Sequence, residues 1–179
     1  MHRHCTLRNL ALIGFMGAGK SSVGRLAAAQ LHFELVDTDA LIETKAGKTV
    51  SRVFAEEGEA AFRAYEQAVV NDLAGRSNLV VATGGGLAAN AENLAGLKRH
   101  AFVVCLWASP ETIWERVRHQ SHRPLLRTPD PQARIRQLLA EREPFYRQAD
   151  LLVNTGLRPL REVAQLIVQQ FRLARQEGA

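Results

Sequence analysis

Five short apolar runs, separated by stretches with helical spacing, predict an α/β fold: a three-layer sandwich around a five-stranded, mostly parallel sheet. Two observations carry that expectation. Several of the apolar runs are continuous rather than alternating, as strands covered on both faces must be. The segments between them carry capping and periodicity signals of amphipathic helices. At 179 residues the chain is long enough to bury one sizeable core, so a single domain over residues 1–179 is expected.

The elements follow in order. LALIG (10–14) is the first candidate strand, and Val23, Leu26, Ala27 and Leu31 keep helical spacing after it. FELV (33–36) is the second strand; Phe62, Tyr65, Val69 and Leu73 then form an apolar helical stripe that stops near Gly75. LVVAT (79–83) and FVVCLW (102–107) are the third and fourth strands. Ser109, Pro110 and Glu111 supply an N-cap, a proline at the first helical position and an acidic first turn. LLVN (151–154) is the fifth strand, lying between helical segments at 131–147 and 159–175. Pro144 is expected to break or kink the former, because it lacks an N–H and crowds the preceding turn. The irregular stretch HQSHRPLLRTPDP (119–131) reads as part of a mobile lid at about 116–131.

Lysine and arginine outnumber aspartate and glutamate by 23 to 18, so the net charge of +5 favours anionic partners. Nucleic acid is the weakest of these, since the basic stretch lacks interleaved aromatic residues. No apolar stretch approaches a membrane span, and the leader MHRHCTLRN lacks the apolar region of a secretory signal. A cytoplasmic monomer without membrane or nucleic-acid partners is the expectation. Cys105 reads as a small buried thiol in a core strand, with no disulfide to Cys5.

GFMGAGKS (14–21) matches G-x-x-x-x-G-K-[ST], the phosphate-binding loop. Gly14, Gly17 and Gly19 let the backbone curl until successive N–H groups face one anion; Lys20 reaches the β- and γ-phosphates, and the Ser21 hydroxyl binds Mg²⁺. The motif follows an apolar strand and opens an amphipathic helix, the context it requires. No NKxD guanine motif is present, and LVVAT ends in Thr83 rather than in acidic residues. A small-molecule kinase is the class that remains.

LVDTDA (35–40) sets Asp37 and Asp39 two residues apart, where they could cap a helix, hold a metal or take a proton. Asp39 could cap a helix beginning near Ala40, although Ile42, three residues later, completes no capping box. The two carboxylates share one side only if the chain stays extended through Thr38. TGGGL (83–87) is a second glycine cluster at the C-terminal end of a strand, where open α/β sheets bind ligands. Its glycines clear side chains and free backbone N–H groups for a ligand. Arg63 and Glu66 fall on one helical face, where a surface ion pair is the plain reading. Arg142 and Arg123 are ambiguous taken singly, and His119 and His122 read as loop residues.

In order, GFMGAGKSSVG, VDTD, FRAYE, ATGGG, RPLL and REPFY resemble one family, shikimate kinase, over nearly the whole chain from about Leu10. The resemblance implies the P-loop kinase type of fold and an activity that transfers the γ-phosphate of ATP to the 3-hydroxyl of shikimate. It implies that Gly17, Ala18, Gly19, Lys20, Ser21 and Ser22 cradle ATP. Asp37 joins Ser21 in holding Mg²⁺ through water, and Asp39 binds the substrate hydroxyl and accepts its proton. Arg63 and Arg142 clamp the substrate carboxylate, a match of planar fork to carboxylate that also makes chemical sense. Gly85, within Gly84, Gly85 and Gly86, touches the substrate through its backbone. Arg123 swings in on the lid to neutralise the transferring phosphoryl group, beside Lys20 and Asp39 in the chemistry. The family commonly reads V-D-T where this chain has Val153, Asn154 and Thr155, and whether Arg116 or Arg118 also meets ATP is open. Two alternatives stand beside this reading: a nucleotide-binding regulatory domain that has lost catalysis, and a kinase for a related small hydroxy acid.

Overall fold

A computed structural model describes residues 7–119 and 128–177 of the chain. The sheet has five strands: β1 (Asn9–Ile13), β2 (Glu34–Asp37), β3 (Leu79–Ala82), β4 (Ala101–Trp107) and β5 (Leu151–Asn154). Their order is β2-β3-β1-β4-β5, and every pairing is parallel. All five predicted strands are therefore present, each within one residue of its expected bounds.

Continuous apolar runs form these strands because both faces are covered. Along β1, Leu10 and Leu12 belong to one buried cluster while Ala11 and Ile13 belong to another. The same alternation runs along β4, with Val104 and Leu106 facing one side and Val103 and Cys105 the other. The first side is closed by α1 (Lys20–Leu31), α6 (Pro110–Val117), α7 (Pro131–Tyr146) and α8 (Leu160–Glu177). The second is closed by α2 (Thr38–Ala46), α3 (Val50–Glu56), α4 (Gly58–Ala74) and α5 (Ala91–Lys98). Among the described residues no helix is long and apolar enough to cross a membrane.

Local chemistry sets the helix starts. Ser109 accepts a hydrogen bond from the Thr112 N–H at 3.2 Å with Pro110 opening α6, as the sequence predicted. Asp130 does the same for Ala133 at 2.9 Å, with Pro131 opening α7.

Three expectations need correction. Asp37, not Asp39, caps the helix after β2: its Oδ1 accepts from the N–H groups of Asp39 and Ala40 at 2.9 and 3.3 Å. The chain is already helical from Thr38, so the two carboxylates are set apart by a strand-to-helix turn rather than by an extended segment. Pro144 does not break its helix. It lies in the last turn of α7, where one lost backbone hydrogen bond matters least, and the helix ends two residues later. The lid segment is only partly visible: Arg116 and Val117 belong to α6 and Pro131 to α7, while RPLL with Arg123, and His122, fall outside the described residues.

Candidate active site

The C-terminal ends of three adjacent strands gather the site. Leu12 of β1 pairs with Ala82 of β3, and Ala82 pairs with Asp37 of β2. At about 4.8 Å between strands, the phosphate loop after β1, the glycine cluster after β3 and the aspartates after β2 lie side by side. Strand order reverses about β1, which is where doubly wound sheets open a crevice.

The loop after β1 needs its glycines. Gly14, Gly17 and Gly19 adopt φ values of +136, +74 and +100. A methyl group on Gly17 would also lie 2.7 Å from Val117 Cγ1, so the loop rests directly on α6. Gly19 caps α1 without any side-chain acceptor, leaving the first N–H groups of that helix directed at a phosphate position. Lys20 is buried and donates to the carbonyls of Gly14 and Phe15 at 2.8 and 2.9 Å. Ser21 and Ser22 are exposed on the first turn of α1.

Arg116 is a residue whose role sequence reasoning left open. It donates to the Gly17 carbonyl at 3.1 Å and to Thr155 Oγ1 and O at 3.0 and 2.8 Å. Thr155 Oγ1 in turn reaches Ala18 O at 2.9 Å, so the loop after β5 is tied to the phosphate loop. Arg118 pairs with Glu115 at 3.2 Å. No periodicity could have separated these two arginines, because the partners of Arg116 lie 39 and 99 residues away.

The second glycine cluster works by space rather than by backbone conformation, for none of its φ values is positive. A methyl group on Gly84 would press into the Asp39 carboxylate, 3.1 Å from its Cγ. On Gly85 it would lie 3.3 Å from the Met16 nitrogen of the phosphate loop. On Gly86 it would lie 3.3 Å from Arg63 Nη1 and 3.8 Å from Arg142 Nη2. Three consecutive missing side chains thus let an acid, the phosphate loop and two guanidinium groups converge. Gly84 donates its N–H to Thr38 Oγ1 at 2.8 Å, and the Gly85 carbonyl accepts from Arg142 at 2.8 Å and Tyr146 at 3.3 Å. The expected freeing of backbone N–H groups therefore does not hold at Gly84.

Both guanidinium groups are held before any ligand arrives. Arg63 donates through Nη1 to Glu66 at 2.7 Å and through Nη2 to Glu59 at 2.9 Å. Each terminal nitrogen carries a second N–H, and these remain for a carboxylate. The plain surface-pair reading fails here, since Glu66 is 1% exposed. Burial pushes the Glu66 carboxyl above its ordinary range; Arg63 and Arg142 pull against this, and nearby Asp39 adds to it. Burial also opposes the Arg63 cation, but Glu66 and Glu59 outweigh it and keep the guanidinium protonated. Arg142 lies 5.2 Å over the Phe15 ring, a cation–π contact that fixes its plane. The Tyr146 hydroxyl is pushed up to about 12 by burial, Arg142 opposing, so it stays a donor to Gly85. Burial likewise pushes the Cys105 thiol up to about 12, which makes it an inert core residue.

Asp39, Glu59, Arg63, Glu66, Arg142 and the three glycines line a cavity of about 540 Å³ that also takes in Met16, Phe54, Phe62, Arg134 and Leu138. Phe54 and Arg134 had no distinguishing motif in the sequence, and Met16 sits at a variable position of the phosphate-loop motif. The cavity offers a carboxylate beside a phosphate loop and two arginines at one wall. That arrangement suits a small anion presenting a hydroxyl toward a nucleotide. Asp37, at the end of β2, has one carboxylate oxygen used by its helix cap.

The chain is similar to known proteins over most of its length. A family profile described as shikimate kinase matches residues 16–172. The chain is 45% identical over 173 residues to a shikimate kinase of Symbiobacterium thermophilum, covering 95% of this chain and 99% of that one. It is 51% identical over 143 residues to a shikimate kinase of Synechococcus sp. (79% and 75% covered). It superposes with a TM-score of 0.88 on the shikimate kinase of Acinetobacter baumannii in complex with shikimate, at 40% identity and 96% coverage of both chains.

Proposed function

This chain belongs to the shikimate kinase family, and from that premise we propose how its residues carry the γ-phosphoryl group from ATP to shikimate. It is an ATP-dependent kinase whose products are ADP and shikimate 3-phosphate. The observation that carries the residue assignment is the convergence of Asp39, Arg63 and Arg142 on Gly84, Gly85 and Gly86, beside the phosphate loop.

The reaction requires orientation first. The remaining N–H groups of Arg63, together with Arg142, bind the shikimate carboxylate, and the ring then lies across the glycines with its 3-hydroxyl toward Asp39. Gly84, Gly85 and Gly86 keep the wall thin enough for that approach. Asp39 accepts the hydroxyl proton as the oxygen bonds to the γ-phosphorus, and the bond from that phosphorus to the β-phosphate bridging oxygen breaks. Lys20 exchanges the carbonyls of Gly14 and Phe15 for phosphate oxygens, and the backbone N–H groups at Gly17, Ala18, Gly19, Ser21 and Ser22 hold the rest. Arg123 supplies a further cation to the transferred group.

Mg²⁺ fits the residues present. The Ser21 hydroxyl is exposed at the head of α1, and the second Asp37 carboxylate oxygen has no hydrogen bond among the described residues. These two would hold the ion, which when bound would supply positive charge against the phosphates. The protein acts in this reading as a cytoplasmic monomer, which gel filtration checks.

An ADP-release assay with ATP, Mg²⁺ and a panel of hydroxy acids tests the function. Shikimate is expected to give turnover far above the background ATPase. Turnover with another hydroxy acid but not with shikimate would overturn the reading.

A further inference from the structure

The wall of the cavity contributed by α7 carries more charge than a carboxylate clamp requires. Arg134, Leu138 and Arg142 are spaced four residues apart, and all three line the cavity. Leu138 and its neighbour Ile135 are buried in the core, which fixes the face of the helix that carries this stripe. Arg142 is bound to the Gly85 carbonyl and lies over Phe15. Arg63, which meets Arg142 at Gly86, is neutralised by two carboxylates. Arg134 differs from both: among the described residues its hydrogen bond runs to the neutral amide oxygen of Gln137 at 3.0 Å, and it has no ion pair. Its helical neighbour Arg136 faces Glu111 instead, at 3.6 Å.

The charges of the lining make this position consequential. The cavity carries three acids, Asp39, Glu59 and Glu66, and three arginines, Arg63, Arg134 and Arg142. Without Arg134 the lining would hold one net negative charge, facing a substrate that is itself an anion. Like charges in a partly desolvated cavity repel at a cost that water only partly screens.

We propose that Arg134 is a specificity-determining residue for the acidic substrate: it balances the carboxylates of the cavity and favours entry and retention of anions, without touching the phosphoryl transfer. The inference rests on the reading of this cavity as the shikimate site. Arg134 acts through charge, so lysine replaces it and a neutral amide does not.

Steady-state kinetics of Arg134→Gln and Arg134→Lys test it, with folding checked by circular dichroism. Turnover of shikimate by the unaltered protein establishes the site; its failure would sink the reading of the cavity rather than this inference. Given that turnover, Arg134→Gln is expected to raise the KM for shikimate about 3-fold to 10-fold, the scale of one screened charge. Its kcat and its KM for ATP should stay within about 2-fold, and the salt dependence of kcat/KM for shikimate should flatten. Arg134→Lys should restore the unaltered KM and salt dependence. An unchanged KM in Arg134→Gln, a fall confined to kcat, or a rise in the KM for ATP would each overturn the proposal.

Discussion

Asn9 opens the central strand β1 at the N-terminal edge of the parallel sheet, while Asp39 lies just beyond β2 at its C-terminal edge. Their polar atoms meet different fates. Asn9 is fully buried, and its Oδ1 accepts from the Leu79 N–H at 3.0 Å. Its Nδ2 serves both the Arg76 carbonyl and His100 Nδ1, each at 2.9 Å. One side chain thereby ties β1 to β3 and to the turn before β4. Because Oδ1 is claimed by a donor, Nδ2 must donate, and His100 Nδ1 must accept; the imidazole is held neutral with its proton on Nε2. At the opposite edge, acids and arginines are held around a cavity with part of their hydrogen-bonding capacity turned outward. One edge spends its polar groups on the fold, and the other reserves them for a ligand. Such an arrangement costs stability where function needs it.

The contrast can be broken from either side. The largest effect is expected at the ligand edge: Asp39→Asn should retain ATP binding and lower kcat by about 10² to 10⁴, the range for a positioned proton acceptor. Near-normal turnover in that variant would remove Asp39 from the chemistry. At the structural edge, Asn9→Ala strands the Leu79 N–H and loosens His100. A loss of about 2–4 kcal/mol in urea unfolding is expected, with kcat and KM unchanged in the folded protein. Altered kinetics there would show that the two edges are coupled.

Gly86→Ala returns to the cavity. The added methyl crowds Arg63 Nη1 at 3.3 Å and touches Arg142, so the KM for shikimate should rise about 10-fold while the midpoint of unfolding hardly moves. An unchanged KM would mean that the arginines do not meet at Gly86. The smallest effect concerns pH. Burial holds the His100 pKa below its ordinary value, and Arg8 and Arg99 push the same way. The unfolded chain therefore takes up this proton first as pH falls. Stability from this group is present above about pH 6.5 and is lost on acidification, by at most about 1.4 kcal/mol per pH unit. His100→Gln should flatten the dependence of the unfolding midpoint between pH 7 and 5; an unchanged slope would count against the neutral tautomer.

Much of this was legible beforehand where the determinants are local. Strand runs such as FVVCLW, the Ser109-Pro110 helix start and the phosphate loop each carry their cause within a few residues, and they form as expected. The short helices α3 and α5 were not singled out, because seven and eight residues hold too little periodicity to register. LVDTDA was misjudged at its hinge: both aspartates are capable caps, and the sheet register ending β2 at Asp37 decides which one is used.

What the sequence determined by itself is therefore the class of chemistry, since a phosphate loop and an ordered set of acids, glycines and arginines admit few readings. What only the tertiary structure decided is how those residues meet. Glu66 becomes a buried anchor for Arg63, Gly86 becomes the meeting point of two guanidinium groups, and Arg134 enters the cavity beside them. Burial and charge balance depend on neighbours that are remote along the chain, and no local pattern encodes them.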